Sequence, residues 1–391
     1  MVGSLVIDKA YLVRVLKEMI AIDSVLPHEE RLAEYLADQI RGLGLEPEWH
    51  EVAPGRPNVY AALELGRGGR FISFSGHSDT VGAASDWATD PFEAVERDGR
   101  IYGLGAINMK SGLACMLAAM KALSDNREKL GVNGRVGLMI VVDQEGLSTG
   151  AEAALTTEHA GCDAMLHAEH FFGDSGEDYL PIAVTGKVLY KLIVRGRSAH
   201  AFRAHEGGIN AITDAASIVR ALERLSLGKH HLFGQGTYCT LKIEGGPREY
   251  SMVVPERCEV IITRLTVPGE SRDSAVADMR QLIDGLDLES TVEIETPPPY
   301  YDPYQLDPSK PVLSMFKQVY RAIIGKEPCF AGHRGIVDAN VFVARGGIPT
   351  IVFGPKGANH HKAGEYVEIA SLEPVARIYV ETALSFLRGE A

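Results

Sequence analysis

His77 and Asp79 stand two residues apart at the end of an apolar run, in Ser75-Gly-His-Ser-Asp79. That spacing puts both side chains on one face of a strand end. A histidine that ligates a metal ordinarily donates its second ring N–H to a carboxylate, which fixes the tautomer and raises the ring's basicity. A second cluster, Asp143-Gln144-Glu145, closes the apolar run Val136–Val142 and precedes a helical stretch. Read alone, it is a set of acids near a helix start, where the positive end of the dipole favours them. Ala168-Glu169-His170, with His167 two residues before the glutamate, adds a third group, and His360-His361 with Glu365 a fourth. Imidazoles and carboxylates together are the side chains of metal ligation and proton transfer. Two amides stand among them, Asn108 and Gln144. They keep the shape and hydrogen bonding of aspartate and glutamate but cannot take up a proton.

These residues need a scaffold that gathers them. Leu12, Val15, Leu16, Met19 and Ile20 repeat at helical spacing, as do Leu32, Tyr35, Leu36, Ile40 and Leu43, so two opening helices are expected. Phe71–Phe74 and Val136–Val142 read as strands, Ser111–Leu123 and Ala151–Glu158 as helices. Strands alternating with helices indicate a doubly wound α/β sheet with parallel strands, and sites in such sheets lie at the C-terminal strand ends. Near Pro181 the texture changes. Lys187–Val194, Thr237–Ile243 and Cys258–Thr266 read as strands, Gly208–Leu225 and Asp273–Gly285 as helices, which together suit a compact α+β layer. Pro297-Pro-Pro-Tyr-Tyr-Asp-Pro303 is a stiff connector. A helix at Val312–Ile323, a strand at Thr350–Phe353 and a helix at Leu372–Leu387 return to α/β texture. The expected organisation is one α/β domain, residues 1–182 and 298–391, interrupted by an inserted α+β domain at 183–297.

Bulk properties narrow the function classes. A chain of 391 residues exceeds one ordinary core, and 46% hydrophobic with 23% charged residues is a globular balance. A formal charge of −13 argues against a nucleic-acid partner, because phosphate binding needs a basic surface. No basic segment leads into an apolar one near the first residues, so secretion is not expected. No run approaches the ~18 apolar residues of a membrane span. Five cysteines, odd in number and without CxxC spacing, read as reduced thiols of a cytoplasmic protein.

Taken jointly with Gly103-Leu-Gly-Ala-Ile-Asn-Met-Lys110, these segments resemble the co-catalytic zinc peptidases and deacylases. That family includes acetylornithine deacetylase, succinyl-diaminopimelate desuccinylase, aminoacylase and glutamate carboxypeptidase. The resemblance covers residues 8–388 and implies a zinc-peptidase-like α/β domain with an inserted lid and dimerisation domain. It implies metal ligation by His77, Glu145, Glu169 and His361, with Asp79 behind the His77 ring. Asn108 occupies the position of an aspartate that bridges two metals, and Gln144 that of the glutamate that serves as general base. Gly196-Arg-Ser-Ala-His200 matches a lid signature whose histidine reaches a partner subunit's site and stabilises an oxyanion. Zinc is the implied metal, one or two ions, with cobalt or manganese as alternatives, and a homodimer through the lid is the implied assembly. Leu104, His170 and Met252 also depart from the family pattern.

Losing a general base typically costs ~10²–10⁴-fold in rate, so Gln144 is a severe change for hydrolysis. An amide offers one neutral oxygen where a carboxylate offers two anionic ones, so two divalent ions at Asn108 would repel with less compensation. The expectation is one well-bound ion, or weak binding at two sites. His170, His167 or Asp143 could replace the base, and Arg334 and Arg345 are candidate anchors for a substrate carboxylate. The function expected is metal-dependent amide hydrolysis of an N-acyl amino acid or small peptide, a small-molecule partner, at an attenuated site. Two alternatives stay open: an amide-forming or lyase-type enzyme on the same scaffold, and an inactive binder of amino-acid derivatives.

Overall fold

The structure, a computed structural model, describes residues 5–170, 179–249 and 251–389. A six-stranded sheet runs, from one edge to the other, through Glu48–Ala53, Arg56–Glu64, Gly134–Val141, Arg70–His77, Ala164–His167 and Thr350–Val352. The last four are mutually parallel, as expected for an α/β sheet. Arg56–Glu64 runs antiparallel both to Gly134–Val141 and to the edge strand Glu48–Ala53. This antiparallel edge extends the parallel strands read from the sequence. Only Pro54 and Gly55 separate the first two strands, and a parallel pair needs a crossover of a dozen residues or more; Gly55 takes the positive φ of +71° that the tight turn requires.

Helices bury this sheet. Ser111–Asp125 is buried along nearly its whole surface, consistent with its many alanines, and the long C-terminal helix Ile369–Arg388 carries Leu372, Ile378, Tyr379 and Leu384 into the same core. Gly112 is where the first of these comes closest to the sheet. A Cβ built on it would lie 2.1 Å from the Ala168 carbonyl oxygen, one residue from Glu169. The strand ends carrying His77, Asp143 and Glu169 therefore open on one edge, with the helix that follows Asn108 packed against them. Among the described residues, no helix is long and apolar enough to cross a membrane.

Contacts divide the chain into two units, residues 1–182, 306–331 and 337–391 in the first, and 183–305 with 332–336 in the second. The second unit holds a four-stranded antiparallel sheet, ordered Thr237–Gly245, Arg257–Thr266, Gly186–Arg195, Thr291–Glu295. Val188, Tyr190, Leu192 and Val194 pack on the helices Ala211–Ala221 and Arg272–Asp284 through Ile218 and Met279. Arg264 is wholly buried there, paired with Glu270 and with Asp278 at 2.8 Å. Residues 298–305 and 332–336 group with this unit, whereas the sequence reading assigned them to the first. Pairing accounts for it: Tyr304 and Gln305 pair with Val184 and Ala183, and the Thr185 N–H donates to the His333 carbonyl.

The close approach at Gly112 yields a test. Gly112→Ala should destabilise the protein by about 1–3 kcal/mol, despite alanine's better helix propensity, because the methyl meets backbone that cannot move aside. Chemical denaturation reads the change; an alanine variant as stable as the parent would contradict this packing.

Candidate metal centre

The Asp79 carboxylate ties two strand ends together. It is fully buried, and its oxygens accept the backbone N–H of Gln144 at 3.1 Å and of Glu145 at 2.8 Å. His77, also buried, directs Nδ1 to the Asp79 carbonyl oxygen at 3.0 Å, with the carboxylate Oδ1 at 3.4 Å. Both neighbours are acceptors, so Nδ1 carries a proton and the ring is held from behind. His77 Nε2 is buried with no hydrogen-bond partner. Burial alone would lower the ring's pKa, but the Asp79 hydrogen bond and charge, with Glu169 and Glu145 nearby, push it up to about 10. Burial works to raise Asp79, and His77 with the two backbone N–H groups outweighs it, holding this acid below the usual carboxylate range.

Asn108 sits at a kink, its φ of −119° and ψ of 91° being non-helical, within the turn Ala106–Lys110 entered through Gly105, whose φ is +75°. Glu365 clamps that turn. Its buried carboxylate accepts the N–H of Gly105 at 3.0 Å, of Ile107 at 2.9 Å and of Asn108 at 3.0 Å. Burial raises Glu365 to about 7 against the pull of those three donors. The Asn108 Nδ2 then donates to Glu145 Oε1 at 2.6 Å and lies 3.0 Å from His361 Nε2, itself 2.7 Å from the same glutamate oxygen. A carboxylate oxygen demands a donor, so the amide nitrogen must face Glu145, and this fixes the amide orientation. Asn108 Oδ1 is left buried without a donor.

The two halves of the centre therefore differ. In one, His77 Nε2 and Asn108 Oδ1 are buried without a hydrogen-bond partner, and Glu169 Oε2 is approached by His167 Nε2 at 3.3 Å, longer than a well-formed bond. An imidazole nitrogen, a carboxylate and an amide oxygen form a donor set that fits one divalent ion. In the other, Glu145 Oε1 takes the Asn108 NH₂ at 2.6 Å and lies 2.7 Å from His361 Nε2, and the amide nitrogen facing them has no lone pair to offer a second ion. Among the described residues, the one trio of His, Cys, Asp or Glu with ligand atoms within 4.8 Å of one another is Glu48, Glu158 and His159, at the antiparallel edge of the sheet.

The remaining sequence candidates fall into place individually. Gln144 is buried beside Asp79, its backbone fixed there. His170 is buried with its ring 5.3 Å from that of His360, which in turn lies 5.3 Å from the His361 ring. Burial pulls His170 down to about 3, so it is a neutral imidazole. Asp143, considered as a replacement base, is bound by Arg56 at 2.9 Å and by the Thr149 hydroxyl at 2.7 Å. Its lone pairs are spoken for. In the second unit His200 is exposed and its Nδ1 accepts the Phe202 N–H at 3.3 Å. Arg334 donates to the carbonyls of Phe233 and Gln235, and Arg345 pairs with Glu152. Both arginines thus have protein partners where substrate anchoring was expected.

Three further buried groups surround the centre without having been assigned a role from sequence. Glu365 is the clamp already described. Lys110 donates to the Ile22 carbonyl at 2.9 Å, and burial draws it down to about 7. Asp338 is fully buried, and burial pushes it up to about 8 with His77 opposing and Asp79 and Glu169 reinforcing. Glu365 is marked by its spacing from His361, whereas the parts of Lys110 and Asp338 are defined by what surrounds them in space.

Comparison with known proteins covers the stretch of chain that carries these residues. The signature of peptidase family M20/M25/M40 matches residues 73–385. Succinyl-diaminopimelate desuccinylase of Magnetococcus marinus is 27% identical over 370 residues, covering 93% of this chain and 95% of its own. N-formyl-4-amino-5-aminomethyl-2-methylpyrimidine deformylase of Halalkalibacterium halodurans is 26% identical over 415 residues, covering 97% and 94%. Among solved structures, aminopeptidase PepT of Bacillus cereus superimposes with a TM-score of 0.79 at 23% identity, covering 97% of this chain and 99% of that one. The YXEP protein of Bacillus subtilis, a dinuclear metal-binding M20 peptidase, gives 0.74 at 16% identity, covering 97% and 98%. With a signature that runs from the strand bearing His77 to the last helix, this chain belongs to peptidase family M20/M25/M40, a family of metal-dependent amide hydrolases.

Proposed function

We propose that this protein is an amide hydrolase of attenuated activity that holds one divalent ion, zinc or a close substitute, and removes an acyl group from an amino acid or small peptide. The observation that carries this reading is the Asn108 amide, whose nitrogen lies between Glu145 and His361. His77, Glu169 and the Asn108 oxygen are the ligands, and Asp79 orients His77 and fixes the Gln144-Glu145 backbone. A bound ion of this kind polarises a carbonyl and acidifies water. Gln144 can position a water or a substrate amide by hydrogen bonding, but it cannot carry the proton away. A desuccinylase and a deformylase among the relatives support deacylation as the reaction class.

A second reading, non-hydrolytic amide chemistry, draws on the same two amides, since a site that does not activate water spares a product amide. The assembly proposed is a two-fold dimer through the second unit, with His200 serving the partner subunit's centre. The outer strand Thr237–Gly245 supports it, because it is a sheet edge that exposes Leu241 and Ile243. A reducing, cytoplasmic setting suits five free cysteines.

Metal analysis of protein purified without chelator should give one ion per chain, and Asn108→Asp should add a second without restoring turnover. Adding Gln144→Glu to that variant should raise hydrolysis of an N-acyl amino acid by ~10²-fold or more. A double variant that binds two ions yet gains no hydrolysis would favour the non-hydrolytic reading. Brisk hydrolysis by the unaltered chain with two bound ions would overturn the proposal.

Binding should also depend on pH in a defined direction. His77, raised to about 10, is protonated at neutral pH, and an ion must displace that proton. Affinity should rise with pH, by up to about tenfold per unit, and calorimetry in buffers of different ionisation enthalpy should show about one proton released. Affinity unchanged between about pH 6 and pH 8 would contradict His77 as a ligand.

A further inference from the structure

Beneath Glu169 lies a pair of buried polar side chains. Ser75 and His167 are register partners on adjacent parallel strands, both fully buried, and each stands two residues before a candidate ligand, His77 and Glu169 respectively. Side chains two apart on a strand share a face, so the pair forms a layer directly below those ligands. Ser75 Oγ and His167 Nδ1 are 2.9 Å apart, and His167 Nε2 is 3.3 Å from Glu169 Oε2. The Phe342 ring packs 6.4 Å from the imidazole, centroid to centroid. Filling a core would need no polar atoms here, and an apolar side chain of similar size would avoid the cost of burying them.

The tautomer follows from the partners. A carboxylate accepts, so Nε2 must carry the proton if it faces Glu169. In a neutral ring Nδ1 is then an acceptor, and the Ser75 hydroxyl is its donor. At 3.3 Å the last contact is longer than a well-formed hydrogen bond. Its effect is to set the direction of the carboxylate. The arrangement parallels the one behind His77, with the polarity reversed: there an acceptor orients an imidazole, here a donor orients a carboxylate. Glu169 needs such support because Asn108 supplies no charge, leaving Glu169 the one anionic ligand in that half of the centre.

We propose that Ser75 and His167 are positioning residues, a hydrogen-bonded pair that aims the Glu169 carboxylate at its metal ion. This rests on the single-ion reading above.

The test uses the full-length chain titrated with cobalt(II), following affinity by calorimetry and ligand geometry by the visible absorption of the bound ion. Ser75→Ala and His167→Phe should each weaken binding by ~10–100-fold, the usual effect of losing a residue that orients a ligand, and should shift the absorption band. His167→Gln, which keeps a donor, should recover part of the affinity. Near-ultraviolet circular dichroism checks folding, and should His167→Phe fail to fold, Ser75→Ala decides alone. Parent-like affinity and an unshifted band in folded Ser75→Ala would overturn this positioning role while leaving the single-ion reading intact. A parent chain that binds no cobalt would overturn both.

Discussion

The centre depends on one buried carboxylate. Asp79 receives two backbone N–H groups from the Gln144-Glu145 turn while its own residue holds His77 from behind. Hydrogen bonds to a charged acceptor contribute about 1.5–3 kcal/mol each, and leaving such a charge buried without them costs more. Removing Asp79 would therefore release both strand ends together, and with them His77, Gln144 and Glu145. Glu365 does the same for the third element by clamping the turn that carries Asn108. Two acids that ligate nothing hold the groups that can.

Asparagine at position 108 changes the character of what is held. A carboxylate there would face Glu145 as a like charge and need a cation to reconcile them. The amide reconciles them directly, because its nitrogen donates to Glu145 and its oxygen remains available on the opposite side. The chemical inequality of the two ends of an amide makes the two halves of the centre unequal. A site that a carboxylate would make nearly symmetric becomes one self-contained hydrogen-bonded half and one half that calls for an ion. Gln144 stands beside this arrangement as a group that can hydrogen-bond but cannot take up a proton.

Much of this was legible in the residues themselves. The spacing of His77 and Asp79 and the apolar runs before Asp143 placed the candidate site at strand ends, where it lies. The antiparallel edge was not read, although Pro54-Gly55 is too short for any crossover. The membership of residues 298–305 and 332–336 in the second unit was equally hidden, because strand pairing across more than a hundred residues leaves no local pattern. Glu365 is grouped with His361 by its spacing, but it stands 257 residues from Asn108, and its hold on three backbone N–H groups is visible only in the fold. For Arg334 and Arg345, an arginine's chemistry suits a substrate carboxylate, and the fold adds Glu152 and the carbonyls of Phe233 and Gln235 as protein partners.

The central claim is that the Asn108 amide takes the place of a second ion between Glu145 and His361. Anomalous diffraction at the zinc edge, from crystals grown with excess zinc, tests it most directly. The account predicts one strong peak, beside His77 and Glu169, with the Asn108 nitrogen still against Glu145. Two peaks of comparable occupancy, one of them between Glu145 and His361, would contradict it.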